Sequence, residues 1–181
     1  MDATQFIDLV TPMSGKLLHF AAQLLREPSE AEDAVQEVCL KLWKMRDSLE
    51  NLNSLEAFAM KITKNWCLDR LKARKPVYID SYQSSYDKRS EEPDPYKLME
   101  QSDRKKLFDQ IMDRLPEQQR LIMQLRELEG YDFEEISEIM DLNINAIRVN
   151  LFRARNRIRE ELLKYEQNGH QSIKKSADQV L

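Results

Sequence analysis

The stretch LFRARNRIR, residues 151–159, sets Arg153, Arg155, Arg157 and Arg159 together with no acidic residue among them. Guanidinium groups stay charged and present a rigid fork of donors, so clustered arginines suit phosphate oxygens. Side chains that make and break bonds are scarce. His19 and His170 are the only histidines, and no Ser/His/Asp, Cys/His or phosphate-loop arrangement occurs. Cys39 and Cys67 lack metal-ligand spacing and read as reduced, mostly buried thiols. The expectation is a binding protein rather than an enzyme, with no metal and no cofactor.

Arginine-rich chemistry stands out because the chain as a whole is acidic, with a formal net charge of −4. Its charge is sorted into blocks. Residues 61–75 hold Lys61, Lys64, Arg70, Lys72, Arg74 and Lys75 against the single acid Asp69. Residues 27–37 hold Glu27, Glu30, Glu32, Asp33 and Glu37 and no base. Two basic patches and one acidic patch point to two kinds of partner.

Helices must position these blocks. Three glycines in 181 residues, with a third of the chain charged, favour an all-α protein. No apolar run approaches a membrane span, and MDATQFIDLV is not a signal peptide, so a cytoplasmic protein is expected. A first helix is expected over about 3–25, with Phe6, Leu9, Val10, Met13, Leu17, Phe20, Ala21, Leu24 and Leu25 inward. Pro12 should kink it, or restart it with Thr11 as cap. A second opens at a capping box of Ser29 and Glu32, runs to about Met45, and turns Ala31, Ala34, Val35, Val38 and Leu42 inward. A third, capped by Ser54, runs to about Arg74 and should bury Leu55, Phe58, Ala59, Ile62, Leu68 and Leu71. These make an N-terminal domain of residues 1–75. Residues 76–96, rich in Pro and Ser, read as a flexible linker.

Residues 97–166 form a second helical domain. One helix spans about 97–115, burying Leu98, Leu107, Ile111 and Leu115. Another begins at Pro116, has Leu121, Ile122, Leu125 and Leu128 as apolar positions, and ends at Glu129 and Gly130. Asp132 and Glu135 make a capping box for a short helix with Phe133, Ile136, Ile139 and Met140 on one face. Asp141, Leu142 and Asn143 form a tight turn. A longer helix follows from about Ile144, its inward stripe Ile147, Leu151, Ala154, Ile158 and Leu162. Residues 167–181 read as a polar, fraying tail.

Short helix, three-residue turn and longer basic helix make a helix-turn-helix pattern, whose second helix enters the DNA major groove. Asn145, Arg148, Val149, Asn150 and Phe152 lie where side chains reach base edges. Arg153, Arg155, Arg157 and Arg159 wrap around the helix and suit phosphates, which give affinity without sequence information. A solvated amphipathic helix accounts for the pattern equally well on these residues alone.

The segment LPEQQRLIMQLRELEGYDFEEISEIMDLNINAIRVNLFRARNRIRE closely resembles the C-terminal domain of bacterial sigma factors of the extracytoplasmic-function (ECF) group. EAEDAVQEVCLKLW resembles that family's AEDlvQEvFlrlW, and AFAMKITKNWCLDRLKAR resembles its next helix. Three motifs in the family's order cover about residues 5–75 and 100–165. The resemblance implies promoter-specific transcription initiation on core RNA polymerase. It implies that Asp33, Gln36, Glu37 and Leu40 meet the clamp helices of the largest polymerase subunit. It assigns Lys61, Lys64, Asn65, Arg70, Lys72 and Arg74 to the −10 element, and the loop 46–54 to capture of a flipped-out base. It assigns Asn145, Arg148, Val149, Asn150, Phe152, Arg153, Arg155 and Arg157 to the −35 element. Asp69 is expected to orient Arg70 or Lys72, and Trp66 to pack. An anti-sigma factor, often membrane-anchored in the family, is implied as a further partner. Ala146 and Asn150 replace the family's common Thr and Arg, Asp141 its Gly, Cys39 its Phe and Ala59 its Trp. No promoter consensus is therefore transferred. The alternative is a stand-alone helix-turn-helix regulator, which would need a dimerisation surface and a sensor domain.

Overall fold

A computed structural model describes residues 2–52, 54–74 and 105–178. The expected linker lies outside the described residues, as does the start of the helix expected from 97. No strand occurs among the described residues. Seven helices do: α1 (Ala3–Leu25), α2 (Pro28–Lys44), α3 (Leu55–Ala73), α4 (105–113), α5 (Glu117–Met123), α6 (Phe133–Met140) and α7 (Ile144–Asp178). The all-α expectation holds. α7 continues past the boundary expected at 166.

Two compact units share the chain. One comprises α1, α2, α3 and the segment Arg126–Ile144, which carries α6. The other comprises α4, α5 and α7 from Asn145 onward.

In the first unit, α1 opens on a capping box: Asp2 accepts from the Gln5 amide while Gln5 accepts from the Asp2 amide. The helix passes through Pro12 without restarting. Thr11 is not a cap, because its hydroxyl donates to the Ile7 carbonyl one turn back. Phe6, Val10, Met13, Leu17, Phe20, Ala21, Leu24 and Leu25 are buried as expected, whereas Leu9 is exposed. α2 starts one residue before the expected cap. Pro28 occupies its first turn, where a missing N–H costs nothing, and the Ser29 hydroxyl donates to Glu27 instead of capping the helix. Ala31, Ala34, Val38 and Leu42 are buried and Val35 is half-buried.

Ser54 caps α3 as expected, accepting from the Ala57 amide at 3.1 Å. Its buried face differs from the expected one. Ala57, Ala59, Met60, Thr63, Lys64 and Cys67 are buried, while Leu55, Phe58, Ile62, Leu68 and Leu71 are half-buried. α3 packs on α1 and α2 on one side and on α6 on another, so its burial is spread beyond one stripe.

After α5, Gln124–Leu128 winds as a π-helical turn. The wider turn changes the direction of the side chains after it, so Leu128 is exposed and Glu129 is buried. Gly130 ends it at φ +79°, a conformation glycine adopts without penalty. α6 has the expected capping box, with the Asp132 carboxylate accepting from the Glu135 amide at 2.8 Å and the Glu135 carboxylate from the Asp132 amide at 3.0 Å. It ends on Asp141 in the left-handed region at φ 54°.

In the second unit, Ile111, Met112, Leu115, Leu121, Ile122, Met123 and Leu125 are buried, as is the α7 stripe Ile147, Leu151, Ala154 and Ile158. That stripe is the expected one except at Leu162, which is 38% exposed. An apolar groove, lined by Phe108, Met123, Ile158, Leu162 and Leu163, has Arg155 and Arg159 at its walls.

Candidate nucleic-acid and polymerase interfaces

On α2, the pattern that buries Ala31, Ala34, Val38 and Leu42 turns Asp33, Gln36, Glu37 and Leu40 to solvent. The spacing i, i+3, i+4, i+7 puts them on one stripe. Leu40, a large apolar side chain, is 52% exposed there. Cys39 beside it is half-buried, and burial raises its thiol pKa. Glu30 is set apart from this stripe. Its carboxylate takes Arg70 Nε at 3.2 Å and also pairs with Arg74.

The six candidates on α3 divide. Asn65 and Lys72 are exposed. Arg70 and Arg74 are held by Glu30, and Arg74 also donates to the Leu25 carbonyl at 3.1 Å. Glu30, not Asp69, is therefore the carboxylate seen to orient Arg70. Lys61 pairs with the Asp141 carboxylate. Lys64 is buried and donates to the Ile139 carbonyl at 2.8 Å. Trp66 is half-buried. Beneath the candidate face, Cys67 is fully buried; burial first, then the charge of Glu30, pushes its thiol up to about 12.

Residues 46–51, in the loop expected to capture a base, form a 3-10 turn, Arg46–Asn51. Leu49 is buried beneath it, and Arg46 lies 4.5 Å from the centre of the Trp43 ring while donating to the Trp43 carbonyl at 3.1 Å.

On α7, Asn145, Arg148, Val149, Phe152, Arg153, Arg155, Arg157 and Arg159 are exposed. Phe152 is 65% exposed. Asn150 is half-buried, and its amide donates to the Ala146 carbonyl at 2.9 Å, so that donor faces its own helix.

Sequence reasoning missed a contact between α1, α3 and the segment 129–141. His19 Nδ1 lies 2.7 Å from the buried Glu129 carboxylate. Tyr131 is buried, with the Lys16 ammonium 5.2 Å from its ring centre. Lys16 also pairs with Glu56 at 2.7 Å. Burial above all, then the nearby Glu56, raises the pKa of the Tyr131 phenol. The visible signal was an acid–Gly–Tyr run, where Gly permits the turn and Tyr supplies an anchor.

Among the described residues no His/Cys/Asp/Glu cluster could hold a metal ion, and no helix is long and apolar enough to cross a membrane.

An acid–apolar stripe on α2, a basic α3 packed beside it and an arginine-rich α7 after a tight turn are the three charged surfaces that the described residues present. Comparison with known proteins is more specific. Residues 9–77 match the model of sigma-70 region 2 and residues 105–158 that of sigma-70 region 4. The chain is 25% identical to the ECF RNA polymerase sigma factor SigE of Mycolicibacterium smegmatis over 168 residues, covering 91% of this chain and 64% of that protein. It is 28% identical to the RNA polymerase sigma-H factor of Pseudomonas aeruginosa, covering 89% of this chain and 88% of the relative. Among solved structures it is similar to the sigma factor RpoE of Bartonella quintana in complex with the anti-sigma factor NepR. That likeness has a TM-score of 0.69 and 26% identity, over 88% of this chain and 98% of that one. The chain belongs to the sigma-70 family, in its extracytoplasmic-function group.

Proposed function

We propose that this chain binds core RNA polymerase and directs promoter-specific transcription initiation. The observation that carries the reading is the presence, in order and in one chain, of sigma-70 regions 2 and 4. Its role is to bind and position; the polymerase supplies the chemistry, so no catalytic residue or cofactor is needed. It acts in the cytoplasm with the polymerase. Its domains are the region-2 part to residue 75, a linker over 76–96, the region-4 part over 97–166 and a tail.

The exposed stripe of Asp33, Gln36, Glu37 and Leu40 is the polymerase-docking surface. Carboxylates steer a basic coiled-coil partner and Leu40 supplies apolar burial. Replacing Asp33, Gln36 and Glu37 together by Ala should weaken core polymerase binding at least about tenfold, with helicity unchanged by circular dichroism. Unchanged affinity would remove the assignment. α3 faces the −10 element through Lys61, Lys64, Asn65 and Lys72, with Arg70 and Arg74 at its edge. α7 reads the −35 element through Asn145, Arg148, Val149, Asn150 and Phe152, with Arg153, Arg155 and Arg157 on phosphates. An anti-sigma factor is the further partner, as for the Bartonella factor solved with NepR.

The test is transcription in vitro. Core polymerase with and without the protein is given fragments of the source genome, and transcript 5′ ends are sequenced. New starts sharing two upstream motifs support the reading. Polymerase binding without new starts counts against initiation. Neither binding nor starts would restore the stand-alone regulator.

A further inference from the structure

α6 is eight residues long, so the carbonyls of Ser137 to Met140 have no partner inside it. The Asp141 amide takes the Ser137 carbonyl. The Ile139 carbonyl is taken from outside the helix by the Lys64 ammonium, at 2.8 Å. Lys61, one turn earlier on α3, pairs with the carboxylate of Asp141 itself. Two cations of α3 thus sit at the negative end of the α6 dipole. Lys64 is only 7% exposed, and a buried ammonium is tolerated only while its partner stays in place. The buried Tyr131 and the contact of His19 with buried Glu129 hold the other end of the same segment on α1.

These contacts use the groups that a −10 strand needs. A phosphate cannot reach Lys64 while the ammonium lies beneath residues 139–141.

We propose that the C-terminal end of α6 is an intramolecular latch, in which Asp141 and the Ile139 carbonyl occupy Lys61 and Lys64 and close the −10 surface of the free protein. The proposal rests on the assignment of α3 to −10 DNA. Asp141 suits the latch twice over. Asp tolerates the left-handed backbone better than most residues, and unlike the Gly that the resembled family commonly has at this turn it brings a carboxylate. Opening exchanges the carbonyl and carboxylate for phosphate oxygens, so polymerase and DNA would shift the equilibrium by binding only the open form.

The test uses the full chain. Lysines are labelled with an amine-reactive reagent and quantified by mass spectrometry, and binding to a fluorescent random-sequence single-stranded DNA 20-mer is measured. In the unaltered protein Lys64 should label far more slowly than the exposed Lys72. Asp141→Asn keeps the turn and removes the charge; it should raise labelling of Lys61 and Lys64 and tighten DNA binding about two- to fivefold, the range for a surface-edge ion pair. Asp141→Gly should do the same, which separates the ion pair from backbone strain. Glu138→Gln, an equal charge change on an exposed position of α6, should change neither. Equal labelling of Lys64 and Lys72 in the unaltered protein would overturn the latch. So would faster labelling in the Asp141 variants without tighter DNA binding than in Glu138→Gln. Labelling needs neither DNA nor polymerase. A shielded Lys64 in proteins that bind no DNA, closed or opened, would therefore count against the −10 assignment itself, and the latch would fall with it.

Discussion

In α3, four of the six candidate DNA-binding residues meet the protein itself: Lys61 meets Asp141, Lys64 meets the Ile139 carbonyl, and Arg70 and Arg74 meet Glu30. In α7, Arg148, Arg153, Arg155, Arg157 and Arg159 stand exposed, and no acid lies between residues 145 and 159. The two helices are similarly basic as sequences and differ as surfaces. α3 is packed from several sides and carries cations that acids and carbonyls of neighbouring elements can reach. α7 buries one clean stripe and leaves Arg153, Arg157 and Arg159 exposed outside it. A basic segment therefore marks a nucleic-acid surface only to the extent that its charges lack nearer acceptors.

The difference is largest in salt dependence. Replacing Arg153 and Arg157 by Ala should lower the slope of log K against log salt by roughly 2 on a random-sequence duplex, because each exposed cation releases about one counterion. Replacing Arg70 and Arg74 by Ala should change that slope by no more than about 1, because the Glu30 carboxylate offsets one of their two charges. Equal slopes for the two variants, measured by fluorescence anisotropy from low to moderate salt, would erase the contrast between the helices.

The next effect is on stability. The Glu30 side chain is 18% exposed and holds two guanidinium groups of 51% and 33% exposure, between α2 and α3. Glu30→Gln should cost about 1 to 2 kcal/mol in urea unfolding, less than a fully buried pair because both arginines reach water. The same variant should raise the DNA salt slope, since it releases Arg70 and Arg74 for phosphates. A stability loss with no gain in slope would mean that these arginines are structural alone.

Much of this was legible in the sequence, and the rest failed for definable reasons. Ile147, Leu151, Ala154 and Ile158 were readable because α7 turns a single face inward. The inner face of α3 was misread because contacts on several sides favour Ala57, Met60, Thr63 and Cys67 over the larger Leu55, Ile62 and Leu71. Ser29 looked like a cap because its hydroxyl chemistry is right, but Pro28 begins α2 one residue earlier. The exposed stripe of Asp33, Gln36, Glu37 and Leu40 followed directly from helical spacing. The burial of Lys64 left no trace in the side-chain pattern, because its partner is a backbone carbonyl 75 residues away.

The smallest effect tests whether the underside of α3 is as closed as its packing indicates. Cys67 is fully buried, and burial followed by Glu30 pushes its thiol from 9.0 up to about 12. Below pH 9 the thiol is protonated in both folded and unfolded chains, and the stabilising difference is fully present. Above pH 9 the unfolded chain loses the proton and the folded chain does not, so stability falls as pH rises toward the folded value. At pH 9.5 the loss is just under about 1 kcal/mol. Tyr131, also raised by burial, acts in the same direction at higher pH, so the measurement is the difference between the unaltered protein and Cys67→Ala. Urea midpoints at pH 7 and 9.5 should converge in Cys67→Ala relative to the parent. An identical alkaline loss in both proteins would mean that water already reaches Cys67, and that α3 is looser on its inner side than its contacts with α1, α2 and α6 imply.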